Sequence, residues 1–147
     1  MKVLLPDGAQ AGADPILEIL QKYKTIAVVG LSSDPMRPSH GVARYLQSVG
    51  YRIIPVNPNE REVLGEKSYA RIEDVPEKIE IVEIFRRPEN VPQAVDSAIR
   101  AGAKVIWMQL GIEHAAAAEK ARDAGLTVVM DACMLIEHKA RRQSLAR

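Results

Sequence analysis

The sequence predicts an α/β domain, doubly wound, with helices on both faces of a five-stranded parallel sheet. Five short apolar runs, rich in Val and Ile, recur along the chain and are apolar at consecutive positions, as in strands buried on both faces. Segments with helical periodicity separate these runs, an order typical of right-handed βαβ crossovers. The predicted strands are residues 25–29, 52–56, 79–84, 104–108 and 126–130.

The predicted helices are placed by their end signals. Asp14 caps the first helix and Pro15 takes its first position, an arrangement that suits a helix N-terminus. Three later helices each end at or shortly before a glycine, Gly50, Gly102 or Gly125, which readily adopts the left-handed conformation of a helix terminus. A short helix is also expected near Ile72, within the longer connection 57–76. The three glycine-terminated helices cover residues 41–49, 91–99 and 113–124.

One domain with two extensions is the predicted organisation. A chain of 147 residues with 47% hydrophobic residues can bury one substantial core. Residues 1–13 are mostly small and polar and are interrupted by glycine and proline, which predicts a flexible N-terminal arm. The domain is expected over 14–140. The basic residues of 141–147 indicate a solvated tail, since no aromatic residues are interleaved with them for nucleic-acid binding.

Composition excludes several classes of function. Twenty Lys and Arg against nineteen Asp and Glu leave a formal charge of +1, so no global field favours nucleic acid or a membrane surface. The single cysteine, Cys133, excludes an internal disulfide and fits a reducing cytoplasm. No apolar run approaches the length of a membrane span. His40, His114 and His138 are far apart in sequence and have no metal-binding spacing, so no metal is expected.

The loop after the first predicted strand is the main candidate for phosphate binding. Gly30 lets the backbone approach an anion, Ser32 and Ser33 add donors, and the helix starting near Ser39 directs its positive end toward the same place. Arg37, within this loop, is expected to meet the anion. Each residue also has a simpler interpretation: a tight turn for the glycine, hydroxyl turns for the serines, and an N-cap, which we favour, for Ser39.

The kind of nucleotide is left open by the residues themselves. Neither G-x-G-x-x-G nor the P-loop pattern is present. Where an NAD-binding domain carries an acidic residue after its second strand, this chain has Asn57 and Pro58, which also suit a plain turn. The nearby Arg61 could pair with a phosphorylated ribose. Either NADP or the 3′-phosphorylated adenosine of coenzyme A (CoA) would fit.

Two arginines after the third predicted strand favour an anion nearby. Arg86 and Arg87 precede Pro88 and Glu89, where a helix is expected to start, and cations at a helix N-terminus oppose its dipole. Surface charge is the alternative. Trp107, in contrast, lies in the middle of a predicted strand and is expected to pack in the core.

Five short segments together resemble a known family. They are Val28–Ser32, Pro55–Pro58, Phe85–Pro88, Trp107–Gly111 and Asp131–Met134. Over roughly 25–138 the chain is similar to the stand-alone CoA-binding domain family, which is related to the N-terminal CoA-binding domain of the succinyl-CoA synthetase α subunit. The resemblance implies a Rossmann-like fold that binds CoA or an acyl-CoA at the C-terminal edge of the sheet.

The resemblance also implies roles for residues near the phosphates and adenosine. Ser32, Ser33 and Arg37 would meet the CoA phosphates beside Gly30, while Asn57 and Pro58 would border the adenosine. The synthetase loop has glycines where this chain has Asp34, Pro35 and Pro38, so the phosphate cradle here is expected to differ in detail.

Further implied contacts lie on the other side of the cofactor. Phe85, Arg86 and Arg87 would flank it. Cys133 follows a strand end where the CoA thiol would arrive, so a mixed disulfide is one hypothesis, although a buried structural thiol is the favoured interpretation. The implied lining of the pantetheine arm is Met108, Gln109 and Leu110.

A binding module without catalysis is the predicted function. No nucleophile has an adjacent base in the sequence pattern, and the chain lacks the second nucleotide-binding domain of the synthetase. The first alternative is an NADP-dependent oxidoreductase fragment with Arg61 or Arg37 on the 2′-phosphate. The second is a regulatory or assembly partner of a larger acyl-CoA enzyme. Self-association is left open.

Overall fold

A computed structural model describes residues 1–10 and 12–146, in which eight β-strands form two sheets. The predicted helix and strand pattern is largely present, and two predicted strands have the observed bounds. The strands are β1 (Lys2–Leu4), β2 (Thr25–Val29), β3 (Arg52–Val56), β4 (Glu62–Val63), β5 (Glu66–Lys67), β6 (Ile81–Ile84), β7 (Val105–Met108) and β8 (Thr127–Met130).

The main sheet has six strands in the order β1-β8-β7-β6-β2-β3. The five predicted strands are parallel, but β1 pairs antiparallel with β8, with Val3 opposite Val129. The prediction of a five-stranded parallel sheet is therefore wrong, although the α/β class is confirmed. A three-residue segment shows little periodicity of its own. Its pairing depends on the edge that β8 offers in the folded sheet, which the sequence does not display. Part of the predicted flexible arm is thus a strand.

Among the described residues, five α-helices cover the main sheet, and a sixth, short helix packs on the first and the fifth. Asp14 caps the first as predicted, since its Oδ1 accepts a hydrogen bond from the Leu17 N–H at 3.2 Å. The connection near Ile72 forms a short 3₁₀-helix, Ile72–Asp74. The α-helices are α1 (Pro15–Lys22), α2 (Pro38–Ser48), α3 (Val91–Arg100), α4 (Ala115–Asp123), α5 (Met134–Ala140) and α6 (Arg142–Leu145).

The end of the chain packs on its beginning. Arg141 donates from Nε to Asp14 Oδ2 at 2.8 Å and from Nη1 to Glu137 Oε1 at 2.9 Å. Because α6 follows at once, most of the segment predicted as a basic tail is ordered against α1. Residue 147 of that segment and residue 11 of the predicted arm lie outside the described residues. The predicted domain limits, 14–140, stay a prediction.

Each face of the sheet buries its own apolar cluster. One cluster packs α3 and α4 on the sheet, and the other packs α1, α2 and α5 on the opposite face. Trp107 is fully buried in the second cluster, as predicted, and its Nε1–H donates to the Ala132 carbonyl at 2.9 Å. Burying a side chain such as Leu46 contributes roughly 1.5–3 kcal/mol. No helix in the described ranges could cross a membrane.

A carboxyl group lies in the middle of the sheet. Glu83 of β6 is fully buried between its register partners Val28 and Trp107. Its two carboxyl oxygens have no hydrogen-bond partner in the described structure. Removal from water raises the pKa of Glu83 to about 8. The folded protein therefore holds this side chain in its neutral form at pH 7.

Candidate functional site

The candidate site lies where the strand order reverses. From β2 the chain continues to β3 on one side, and the next strand of the main sheet, β6, lies on the other side. In doubly wound sheets such a switch point opens a crevice at the carboxyl ends of the strands. The residues after β2, β3 and β6 therefore border one crevice.

Gly30 makes the turn at this point. Its N–H donates to the Val56 carbonyl at 2.8 Å, and its φ is +87°. A Cβ atom there would collide with the carbonyl oxygen of Phe85, just beyond β6. Only glycine combines this backbone conformation with such close packing of the two strand ends. The predicted tight turn is thus present at the mouth of the crevice.

The loop after Gly30 is held by its own hydroxyl groups. The Ser32 N–H donates to Ser39 Oγ at 3.1 Å, and Ser32 Oγ accepts from the Asp34 N–H at 3.0 Å. The prediction that Ser39 is the helix N-cap is wrong, because α2 begins at Pro38 and Arg37 takes the cap position. Proline suits the first helical position, and the cap therefore lies two residues before Ser39.

A carboxylate already occupies one donor of this loop. The Ser33 N–H donates to Glu60 Oε2 at 2.7 Å, although the two residues are 27 positions apart in sequence. A backbone N–H in a loop before a helix is a natural donor to an anion. Sequence reasoning missed Glu60, since no local pattern links it to Ser33.

Asn57 supports the loop from behind. Its Nδ2 donates to the Leu31 carbonyl at 3.0 Å, and its Oδ1 accepts from the Asn59 N–H at 3.0 Å. Aspartate could not make the first bond, because an ionised carboxylate has no donor. The acidic residue typical of NAD-binding domains is therefore replaced by an amide with a structural task. Asn57 is buried, and both ends of its amide are engaged within the protein.

A cleft of about 640 Å³ opens between the ends of β2 and β3 and helix α3. Val29, Val56 and Ile72 contribute apolar surface, and the predicted residues Pro58 and Arg86 lie at its border. Such a wall suits a flat ring system with polar groups at its rim.

The far side of the cleft is polar and internally paired. Glu73 accepts from Arg100 Nη2 at 2.6 Å and from Ser97 Oγ at 3.0 Å. The hydrogen bond from Arg100 is the main reason why the pKa of Glu73 lies below its usual value.

The predicted site arginines are uncompensated. None of the four has a carboxylate within 4.0 Å in the described structure. The Nε atom of Arg86 comes within 3.5 Å of where a Gly30 Cβ would lie, so this guanidinium is closely associated with the turn. Arg86 is the one of the four that lines the cleft, whereas Arg37, Arg61 and Arg87 lie outside its lining. The four residues are Arg37, Arg61, Arg86 and Arg87.

The residues implied for the pantetheine arm differ in exposure. Met108 is fully buried in the cluster beneath α3 and α4, so it offers no surface to a ligand in this conformation. Leu110, two residues later, is 60% exposed. Gln109 is buried, and its Oε1 has no hydrogen-bond partner among the residues described. Cys133 is buried at the start of α5, within the cluster that contains Trp107.

Asp131 joins the loops after β7 and β8, and sequence reasoning missed it. Its Oδ1 accepts from the Gly111 N–H at 2.7 Å, and its own N–H donates to the Ile112 carbonyl at 3.1 Å. Its φ is +56°, a conformation that costs a residue other than glycine about 1–3 kcal/mol. These two hydrogen bonds hold the segment containing Leu110 beside the segment that leads to Cys133.

The sheet order, the glycine turn and the bordering cleft define a Rossmann-like nucleotide-binding domain. The chain belongs to the CoA-binding domain family, since the family model described as a CoA binding domain matches residues 24–139. This match confirms the resemblance stated from the sequence. It does not favour the alternative of an NADP-dependent oxidoreductase.

Similar proteins include stand-alone chains and parts of larger enzymes. The uncharacterized protein YneT of Bacillus subtilis is 42% identical over 123 residues, which are 84% of this chain and 91% of YneT. A solved structure of a hypothetical protein from Pyrococcus horikoshii is 42% identical with a TM-score of 0.85, covering 95% of this chain and 98% of that one. The ADP-forming acetate–CoA ligase II of Archaeoglobus fulgidus is 30% identical over 92 residues, 61% of this chain but 14% of the ligase.

Proposed function

We propose that this protein binds CoA or an acyl-CoA at the carboxyl edge of its sheet and acts as a binding module without a chemical step of its own. The observation that carries the proposal is the close packing of Gly30 on the Phe85 carbonyl beside the uncompensated Arg86. This arrangement lies at the switch point of a chain from the CoA-binding domain family.

Charge and shape support a specific orientation of the ligand. The adenosine ring lies against Val29 and Val56 in the cleft, and the diphosphate lies beside the loop that starts at Gly30. Arg86 and Arg37 supply the positive charge that a phosphorylated ligand requires, because neither is neutralised by a carboxylate of the described chain. The pantetheine arm then runs toward the exposed Leu110.

The contacts of two of the three histidines support binding rather than catalysis. His114 Nδ1 accepts from the Ala117 N–H at 3.0 Å and so caps α4, while His138 Nδ1 lies 2.7 Å from the Tyr45 hydroxyl. Neither of these contacts involves a serine or cysteine, as an activated nucleophile would require. A role in the cytoplasm, as carrier or partner of an acyl-CoA enzyme, is part of the proposal. The acetate–CoA ligase relative contains a similar region within a much longer chain.

Thermal unfolding with four ligands tests the proposal. CoA, dephospho-CoA, NAD and NADP are compared at equal concentrations. A ligand present at 100 times its dissociation constant adds about 2.7 kcal/mol, which raises the midpoint by several degrees. We expect the largest shift with CoA and a smaller one with dephospho-CoA, because dephospho-CoA lacks the 3′-phosphate with which an arginine would pair. A shift with NADP alone, or with none of the four, would overturn the proposal.

A further inference from the structure

A second cleft, of about 470 Å³, lies at the opposite edge of the sheet. Lys24 borders it directly before β2, so the length of a five-residue strand, roughly 17 Å, separates this position from Gly30. The lining also includes Tyr45 and Val49 from the end of α2 and His138 from α5. Helix α6 contributes Arg142 and Leu145.

The polar lining of this second cleft is strongly positive. No aspartate or glutamate lines it, and neither Lys24 nor Arg142 has a carboxylate within 4.0 Å in the part of the chain described. The adjacent Arg141 is the opposite case, since it is paired with both Asp14 and Glu137. The ammonium of Lys24 lies over the Tyr51 ring at 5.0 Å and makes one long hydrogen bond, 3.5 Å to the Leu20 carbonyl, so it retains N–H donors for an anion.

The pKa of a buried histidine, His138, responds to this positive charge. His138 is 7% exposed, with its ring edge-on to Tyr45 and Tyr51. Burial is the first cause that lowers its pKa, and the charges of Lys24 and Arg142 lower it further. The ammonium of Lys139 also faces the Tyr45 ring at 5.2 Å. An anion in the cleft would offset these charges and restore part of the basicity of His138.

Apart from the amide of Gln21, the remaining lining is apolar or aromatic. Val49 and Leu145 supply aliphatic surface, and the half-buried Tyr45 ring packs edge-on against His138. A bare inorganic anion would leave most of this surface uncovered. Two cations without a carboxylate partner in the described structure, beside an apolar wall, therefore match an organic anion with a hydrophobic body.

We propose that this cleft is a second ligand site, separate from the CoA cleft, for a small organic anion. Its phosphate or carboxylate group lies between Lys24 and Arg142, and its apolar body packs on Tyr45, Val49 and Leu145. The site goes beyond the proposed CoA binding, because it uses the other edge of the sheet and none of the residues assigned to CoA.

Proton NMR of the histidine rings tests the proposal on the intact chain. Phenyl phosphate, benzoate and inorganic phosphate are titrated at constant ionic strength, and the His138 signals are assigned through their contacts with the two tyrosine rings. We expect saturable shifts with phenyl phosphate or benzoate, weaker binding of inorganic phosphate, and a higher His138 pKa at saturation. The tighter of the two aromatic anions identifies the ligand as a phosphate ester or a carboxylate.

Variants separate a specific site from general charge effects. Lys24→Gln and Arg142→Gln together should weaken binding about tenfold or more, since each removes a charge-assisted hydrogen bond. Lys22→Gln, which removes one charge from an exposed position outside the lining, should change affinity less than about twofold. The CoA response of the double variant should match that of the parent protein, which also confirms its folding.

Three results would overturn the proposal. They are shifts that follow ionic strength without saturating, equal affinity for inorganic phosphate and the aromatic anions, and an unchanged titration in the double variant. Each can occur whether or not CoA binds at the other edge, so failure of this site and failure of the proposed function are distinguishable.

Discussion

Two arginines at opposite edges of the sheet differ in whether a carboxylate neutralises their charge. Arg52, at the start of β3, donates to Glu77 at 2.6 Å and is 2.7 Å from Glu66. Arg86, just beyond the end of β6, has no carboxylate partner in the described structure. The paired arginine joins elements of the fold, whereas the unpaired one is available to a ligand. We therefore expect Arg52 to serve the fold and Arg86 to serve ligand binding.

Gly30→Ala is expected to have the largest effect on this comparison, because it disturbs the carboxyl edge itself. An alanine at this position would have to adopt the positive φ, and its Cβ would collide with the Phe85 carbonyl. We therefore expect the free energy of unfolding to fall by about 3 kcal/mol or more. Urea denaturation measures this loss. Gly50→Ala is the matched control, since Gly50 also has a positive φ, +104°, but nothing within 4 Å of its Cβ position. Equal losses in both variants would contradict the role assigned to close packing.

Glu83→Gln is expected to alter the pH dependence of stability. The folded-state pKa of Glu83, about 8, lies above the ordinary 4.5, so the unfolded chain releases this proton first. The free energy of unfolding therefore falls as the pH rises from about 4.5 to about 8, and the loss reaches roughly 3 kcal/mol by pH 7. Urea denaturation at several pH values should show this slope in the parent protein and not in the variant. The same slope in both would show that Glu83 does not carry it.

Substituting Arg86 and Arg52 one at a time tests the comparison directly. Arg86→Gln should weaken CoA binding about tenfold, the value of one charge-assisted hydrogen bond, with little change in stability. Arg52→Gln should leave CoA affinity unchanged and lower stability by less than about 1 kcal/mol, because its ion pairs are partly exposed. Calorimetric titration and thermal unfolding of both variants measure the two quantities.

A loss of stability in Arg86→Gln without a loss of CoA affinity would contradict the ligand-binding role assigned to Arg86. Arg44→Gln serves as the control for charge alone, since Arg44 is exposed on α2 and lines neither cleft.

Glu60→Gln is expected to have the smallest effect and the opposite sign. Its carboxylate occupies the Ser33 N–H and repels an incoming phosphate, so removing the charge should strengthen CoA binding by about threefold to tenfold. Glu62→Gln removes the same charge two residues away, at an exposed position, and should have less effect. Calorimetric titration compares the two. Weaker binding in Glu60→Gln would instead mean that this contact holds the loop in its binding conformation.

Much of the fold could be predicted because its signals are local. The strands 25–29 and 52–56 have the predicted bounds, and Asp14 caps α1 as its sequence position indicates. Consecutive apolar residues suffice to identify strands that are buried on both faces. The N-terminal strand was missed because three residues carry no period, and the Ser39 cap was misplaced because Pro38 starts the helix.

The candidate site could be predicted in outline only. Gly30 and Arg86 were expected from their positions after strands, and the structure brings them together at the switch point. Met108 was expected at the ligand surface but is fully buried, because helices cover both faces of the internal strand β7. Whether a residue after a strand points into a crevice or into the core depends on register, which the residues alone do not specify.

The amino-acid sequence by itself determined the class of fold, the order of the five parallel strands along the chain and the family to which the protein belongs. These depend on periodicity, end signals and short motifs, all of which act over a few residues. Only the tertiary structure decided which charges are compensated, that Glu60 reaches Ser33, and that Glu83 is buried without a partner. These features depend on contacts between residues distant in sequence, because packing, not local preference, sets which groups meet and which lose water.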